Sequence, residues 1–181
     1  MVAGSGLKIP NTMKYSLLFL AALCLAFQAA NAQEVSVRMT DDASKSITLG
    51  ERMTPQTAWN RFGIYSWKSF KDDLTDGFME LYQTGDGLYF SCLNSYVYDF
   101  NVESEDYRII VNGKYILTIG MSFDTFRQKV RTEKVVIKEL ADKLYAVWFP
   151  IPSTGGYADE KMVMRVDSAH RICGIRWHVP E

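Results

Sequence analysis

The sequence has few of the residues from which catalytic and metal sites are usually built. Its 181 residues include two histidines and three cysteines, which do not match any zinc-binding spacing. No phosphate-binding loop, zinc-protease motif, calcium loop, nucleophile elbow or dinucleotide-binding glycine motif is present. The sequence therefore predicts a protein that is not an enzyme and that needs no cofactor or metal.

The chain also lacks an excess of either charge. Its 20 basic residues face 21 acidic ones, which argues against a dedicated nucleic-acid-binding protein. What is present is typical of a folded globular domain, with 48% hydrophobic, 23% charged and 13% aromatic residues. This composition excludes a disordered chain, a collagen-like repeat and a coiled-coil rod.

The first residues have the pattern of a secretory signal peptide. Lys8 and Lys14 precede an apolar run over residues 16–27, and an Ala-x-Ala end follows at Ala32. The apolar run is too short for a membrane span. We expect cleavage after Ala32, with Met1 or Met13 as the start, and a periplasmic or secreted protein without a membrane span.

The part of the chain after this signal has a simple charge balance and two cysteines. Residues 1–32 contain two lysines and no acid, so 18 basic and 21 acidic residues remain, a net charge of −3. Cys92 and Cys173 are an even pair, compatible with one disulfide in an oxidising compartment. Such a bond would close a loop of roughly 80 residues and stabilise by about 4 kcal/mol. The alternative is two separate thiols buried in apolar strands, and both interpretations remain open.

A short internal repeat divides the chain. The segment Ile47-Thr48-Leu49-Gly50 recurs as Leu117-Thr118-Ile119-Gly120. A helix start follows each copy, with Thr54 or Ser122 suited to the N-cap position, because a hydroxyl there accepts from an unpaired backbone N–H. The pattern predicts one helix after each glycine.

Strand-like runs follow each predicted helix. Between the first helix and its strands, residues 63–77 predict a second short helix lined by Tyr65, Trp67, Phe70 and Leu74. The predicted strands are 78–83, 88–93, 96–100 and 107–111 in the first half, and 135–140, 144–149, 162–166 and 171–178 in the second. The predicted fold class is α+β, with two tandem repeats over residues 33–112 and 113–181. Each repeat is a helix or helical pair packed on a four-stranded antiparallel sheet.

The second helix start carries a family resemblance. The run Gly120-Met121-Ser122-Phe123-Asp124 resembles the helix entry of proteins related to beta-lactamase inhibitor protein and of small outer-membrane lipoproteins that assist barrel assembly. The resemblance covers residues 45–179 and implies a helix-on-four-stranded-sheet fold with a binding role. The chain departs from both branches, because it lacks the lipidated cysteine of the lipoproteins and cannot form the two disulfides of the inhibitors.

Aromatic residues in the predicted strands supply the candidate contact surface. With a period of two, Tyr96, Tyr98 and Phe100 share one face, opposite Val97 and Asp99. Aromatic residues are enriched at binding hot spots, so an exposed aromatic face would dock a partner. The alternative is that most of these rings are core. The candidate binding residues are Tyr89, Tyr96, Tyr98, Tyr145, Trp148 and Trp177.

These observations favour an exported, non-enzymatic binding protein whose partner is an envelope or extracellular protein. A carrier of a small apolar ligand and a hydrolase of envelope glycans are the alternatives, the latter through paired carboxylates. The acidic cluster at Asp72, Asp73 and Asp76 is interpreted as a solvated face. The run from Asp167 to His170 is interpreted as a solvated turn rather than a catalytic triad.

Overall fold

Twelve strands and two short helices make up most of residues 33–71 and 77–178, the part of the chain that the computed structural model describes. The predicted signal peptide lies outside these residues. The helices are α1 (Pro55–Phe62) and α2 (Phe123–Val130). The strands are β1 (Val35–Met39), β2 (Ser46–Thr48), β3 (Ile64–Lys71), β4 (Phe78–Thr84), β5 (Leu88–Leu93), β6 (Tyr96–Val102), β7 (Tyr107–Val111), β8 (Tyr115–Thr118), β9 (Val136–Ala141), β10 (Leu144–Trp148), β11 (Lys161–Val166) and β12 (Ile172–His178).

Both helices begin at the residues that the sequence indicates. The Thr54 hydroxyl accepts from the backbone N–H of Thr57 at 3.2 Å, and Pro55 follows at the first helical position. The Ser122 hydroxyl accepts in the same way from the N–H of Thr125 at 3.3 Å. The predicted helix starts are therefore confirmed.

The strands form two antiparallel sheets. The smaller sheet has the order β2-β1-β7-β8, and the larger has the order β3-β4-β5-β6-β12-β11-β10-β9. The larger sheet consists of two four-stranded meanders that meet where β6 pairs with β12. We call this pairing the seam, and its registered pairs are Val102 with Ile175, Asn101 with Arg176 and Phe100 with Trp177.

One hydrophobic core joins both sheets and both helices. Phe62 of α1 packs on Phe90 of β5 with ring centroids 5.8 Å apart, and Phe123 of α2 packs on Tyr145 of β10 at 4.3 Å. Tyr107 of β7 in the smaller sheet is fully buried in the same core. The large apolar side chains of both sheets and both helices thus form one continuous core.

The fold class predicted from the sequence is wrong. The described residues are mostly β structure in two sheets of four and eight strands, and not a helix packed on a four-stranded sheet repeated twice. Alternating apolar residues identify strands but not their partners. The predicted strand 107–111 exists as β7, yet it pairs with β1 instead of extending the first meander. The predicted boundary after residue 112 falls in the turn that connects β7 to β8.

The second short helix predicted over residues 63–77 is also wrong. Residues Ile64–Lys71 form strand β3, which pairs along its length with β4. Trp67 pairs with Tyr82 and Phe70 with Met79, so the aromatic residues contribute cross-strand contacts. Leu74 lies outside the described residues.

Candidate functional site

The face of the eight-stranded sheet that points away from the core carries a groove of about 550 Å³. Its centre is a row of directly paired residues, Gln83, Tyr89, Asn101, Arg176 and Val163, that crosses strands from both meanders. Paired residues point to the same face of a sheet, so these side chains lie side by side. The groove is lined by Ser66, Lys68, Leu81, Tyr82, Gln83, Tyr89, Phe90, Ser91, Asp99, Asn101, Glu103, Leu144, Val163, Arg165, Gly174 and Arg176.

The floor of the groove is held by core residues on the opposite face of the same strands. Phe100 of β6 pairs with Phe90 on one side and with Trp177 on the other. All three are at most 3% exposed. Because close-packed cores have low compressibility, these core residues hold the backbone of the groove strands in place.

The centre of the groove carries two linked polar groups. The Ser91 hydroxyl donates to Asp99 Oδ1 at 2.7 Å, and Arg176 Nη2 donates to Asp99 Oδ2 at 3.3 Å. Next to this group, Asn101 Nδ2 donates to Glu103 Oε1 at 3.2 Å. The same carboxylate oxygen lies 3.6 Å from Arg165 Nη2. Both arginine side chains are more than half exposed.

Gly174 makes room for the Arg165 side chain. Gly174 pairs with Arg165 across β11 and β12, and its φ does not fall in the left-handed region. A Cβ placed on Gly174 would lie 3.3 Å from Nη2 of Arg165 and 3.5 Å from both its Cζ and its Nε. The guanidinium therefore lies against the backbone where any other residue would carry a side chain, which is a recognised role for a glycine inside a strand.

Among the predicted aromatic residues, Tyr89 lines the groove, whereas Tyr96 and Tyr98 lie at an irregularity in β6. Tyr96 is 53% exposed and Tyr98 is half-buried. Ser91 pairs with Asp99 but the next residue, Cys92, pairs with Val97, so Tyr98 is an extra residue in the strand. The prediction that Val97 lies opposite the Phe100 face is consequently wrong, because both residues are in the core.

The other three predicted binding residues lie in the second meander. Tyr145 is half-buried and its ring contacts Phe123 on the core side of the sheet. Trp148 is half-buried, and Trp177 is 3% exposed in the core. The structure therefore does not bring the six residues together on one face, and only Tyr89 among them lines the groove.

The charged and polar groove residues were missed because they carry no motif. The signal that was available is the alternation itself: Asp99 and Asn101 alternate with Phe100 and Val102, and Arg176 lies between Ile175 and Trp177. Polar residues at every second position of strands buried on their other face indicate a solvated face. The sequence does not show that these residues are neighbours, because they come together only through the pairing of β6 with β12.

Both cysteines are free thiols. Cys92 is fully buried in the core, and burial raises the pKa of its thiol to about 12. Cys173 is half-buried where the pairing of β11 and β12 shifts, between the Arg165–Gly174 and Val166–Ile172 pairs. The two thiols are therefore separate in the structure, and only Cys92 is buried.

A buried carboxyl group lies on the core side of β4. Glu80 is 9% exposed and pairs with Ser69 of β3 and Cys92 of β5. Among the described residues, neither its Oε2 nor the hydroxyl of the neighbouring Tyr82 has a partner in good hydrogen-bond geometry, and the two side chains interact only weakly with each other. Burial raises the pKa of Glu80, and burial followed by the charge of Glu80 raises the pKa of Tyr82 well above its usual value.

Large apolar side chains are exposed at the β3–β4 edge of the larger sheet. Tyr65 is 77% exposed, Phe78 60%, and Trp67 and Phe70 are each 48% exposed. The second short helix predicted for this segment did not indicate these exposed side chains. Lys68 of the edge strand β3 pairs with Leu81, and both residues line the end of the groove that is next to this edge.

The turn before β12 contains a histidine that contacts one acidic residue. His170 lies in the turn before β12, with Nδ1 3.6 Å from Asp124 Oδ2, and both side chains are more than half exposed. Within residues 33–71 and 77–178, no three histidine, cysteine or acidic residues are grouped as metal ligands. Asp72, Asp73 and Asp76 lie outside the described residues.

Neither helix in the described part of the chain has the length and apolar character of a membrane-spanning segment. The chain matches no family model, no curated protein and no solved structure.

Proposed function

We propose that the protein is an exported, non-enzymatic binding protein that holds an envelope or extracellular protein in the groove of its eight-stranded sheet. The observation that carries this proposal is the groove itself. It spans strands of both meanders, and its centre combines Tyr89 with the exposed side chains of Arg165 and Arg176. Tyrosine and arginine are enriched at protein interfaces and at binding hot spots.

The chemistry of the lining favours a protein partner over an apolar ligand. Five charged side chains line the groove, whereas sites for small apolar molecules are predominantly lined by hydrophobic groups. The two carboxylates of the groove, Asp99 and Glu103, each face an arginine. Paired carboxylates suit a charged interface, whereas a glycosidase needs one protonated carboxyl group as its general acid.

Export rests on the sequence pattern before Gln33. A positive start, an apolar run and an Ala-x-Ala end form a secretory signal. The resemblance of residues 120–124 to the helix entry of beta-lactamase inhibitor-like proteins supports a binding role in the same compartment. We carry no contact residue from that family to this chain.

Site-specific photo-crosslinking tests the binding role. A photoreactive amino acid replaces Asn101 in the middle of the groove, and a matched control carries it at Thr118, a half-buried position in the four-stranded sheet. We expect a discrete covalent adduct of one partner protein from the groove probe in envelope extract, and no such adduct from the control. Absence of an adduct from the groove, or the same adducts from both positions, would contradict the proposal.

A further inference from the structure

We propose that the groove recognises an acidic side chain, an aspartate or glutamate on a loop of the partner protein, whose carboxylate binds between Arg165 and Arg176. This inference rests on the proposed function and names the chemistry of the partner. It is carried by the way in which Gly174 positions Arg165 and by the charge of the groove.

Gly174 leaves space for the side chain of Arg165. Its guanidinium lies over Gly174, with Nη2 3.3 Å from where a Cβ would stand. Arg176 lies two residues after Gly174 in β12, so its side chain points to the same face of the sheet as that of Arg165. Two guanidinium groups are thus presented from one short stretch of β12 and its neighbour β11.

Most donors of the two guanidinium groups are available to a ligand. Each guanidinium carries five N–H donors. Arg176 contacts Asp99 through Nη2, and the ion pair of Arg165 with Glu103 is a single contact of 3.6 Å. Arg165 also interacts with the thiol of Cys173. Neither arginine forms the two-pronged pair that guanidinium and carboxylate groups prefer within the described residues. An incoming carboxylate can provide that geometry.

The charge of the groove suits one negative group. Lys68, Arg165 and Arg176 exceed Asp99 and Glu103 by one positive charge, whereas the part of the chain after residue 32 has a net charge of −3. The groove is therefore positive against a negative background, which steers an acidic partner toward it. Because the excess is only one positive charge, the groove balances a single carboxylate and not a polyanion such as a nucleic acid.

Titration of the arginine side chains by NMR tests this inference. The Nε–Hε signals of the purified protein are followed while two hexapeptides are added that differ only in one central residue, which is glutamate in the first and glutamine in the second. We expect the glutamate peptide to shift the Arg165 and Arg176 signals and the glutamine peptide to leave them unchanged. Equal shifts from both peptides would overturn the inference.

The Gly174→Ala variant separates arginine geometry from charge. It keeps every charge but places a Cβ 3.3 Å from Arg165 Nη2, so the guanidinium must move by a few tenths of an ångström. We therefore expect binding of the glutamate peptide to weaken about threefold. Arg165→Gln removes the guanidinium and should weaken binding about tenfold, which keeps the test informative if the alanine variant fails to fold. Arg108→Gln, an exposed arginine of the four-stranded sheet, is the matched control and should bind like the parent protein. Wild-type affinity of both groove variants would contradict the proposed position of the carboxylate.

Inorganic phosphate distinguishes a protein carboxylate from a small anion. If phosphate shifts the same arginine signals and competes fully with the peptide at equal concentration, the groove binds small anions and the acidic-loop inference is wrong. The failures of the two proposals are distinguishable. A crosslinked partner at Asn101 without an arginine response preserves the binding function and removes only the acidic chemistry. An arginine response without a crosslinked partner leaves a groove that binds acidic peptides, but it removes the envelope or extracellular protein as the partner and overturns both proposals.

Discussion

Replacing the buried carboxyl group of Glu80 by an amide should stabilise the protein at neutral pH. The side chain is 9% exposed, and among the described residues its Oε2 has no partner in good hydrogen-bond geometry, so the Tyr82 hydroxyl offsets the burial only in part. Burial raises its pKa above the ordinary value of 4.5. At neutral pH, the folded protein therefore either holds a poorly solvated charge or binds a proton that the unfolded chain does not.

The environment of Glu80 sets the size and the sign of the expected change in the free energy of unfolding. An unsatisfied buried polar group costs about 1–3 kcal/mol, and more when it is charged. Glu80→Gln keeps the shape and one unpaired polar end, so we expect the free energy of unfolding to rise by about 1–2 kcal/mol at pH 7. Because the native pKa is raised, the wild-type protein loses stability as the pH rises from 4.5 through the native pKa. The advantage of the variant should disappear below pH 4.5.

Urea denaturation of both proteins between pH 4 and pH 8 measures this difference. Glu139→Gln, at an exposed position of β9, is the matched control and should change the free energy of unfolding little at any pH. A gain for Glu80→Gln that does not vary with pH would refute the electrostatic reasoning. A loss of stability at pH 7 would show that the carboxylate is favourably placed.

Three other substitutions or reactions test the fold. Trp177→Ala removes a buried ring at the seam and should lower the free energy of unfolding by about 3–5 kcal/mol in a denaturant titration, and a loss below 1 kcal/mol would mean that the ring is not in the core. Thr54→Ala removes the N-cap of α1 and should cost about 1 kcal/mol in the same assay, with Thr54→Ser as the control that retains most of the stability. In the native protein, a thiol reagent at pH 8 should label Cys173 and not Cys92, because burial raises the pKa of Cys92 to about 12. Peptide mapping by mass spectrometry checks this, and labelling of Cys92 at the rate of Cys173 would contradict it.

Local structure was largely predictable from the sequence. The N-caps at Thr54 and Ser122 have the geometry expected of hydroxyl residues before a helix. The strands of the second half also match their apolar alternation. These features depend on neighbours in the chain, so a single sequence contains the necessary information.

The segment that became β3 shows where local patterns fail. Its aromatic residues fit a helix face or a strand, and the pairing of Trp67 with Tyr82 decides between them. Sheet assembly was beyond prediction for the same reason, since the pairing of Phe100 with Trp177 joins residues far apart in the chain. The groove depends on that pairing, so its charged residues could be seen as a solvated face but not as neighbours.

The position of β12 has a consequence for folding of the protein. The strand is the last in the described chain, yet it lies between β6 and β11 in the interior of the eight-stranded sheet. Until β12 pairs with them, β6 and β11 each have an open hydrogen-bonding edge, which is a template for aggregation. The eight-stranded sheet therefore closes only once β12 is in place, and a truncation before Ile172 would remove the seam and, with it, Trp177 from the floor of the groove.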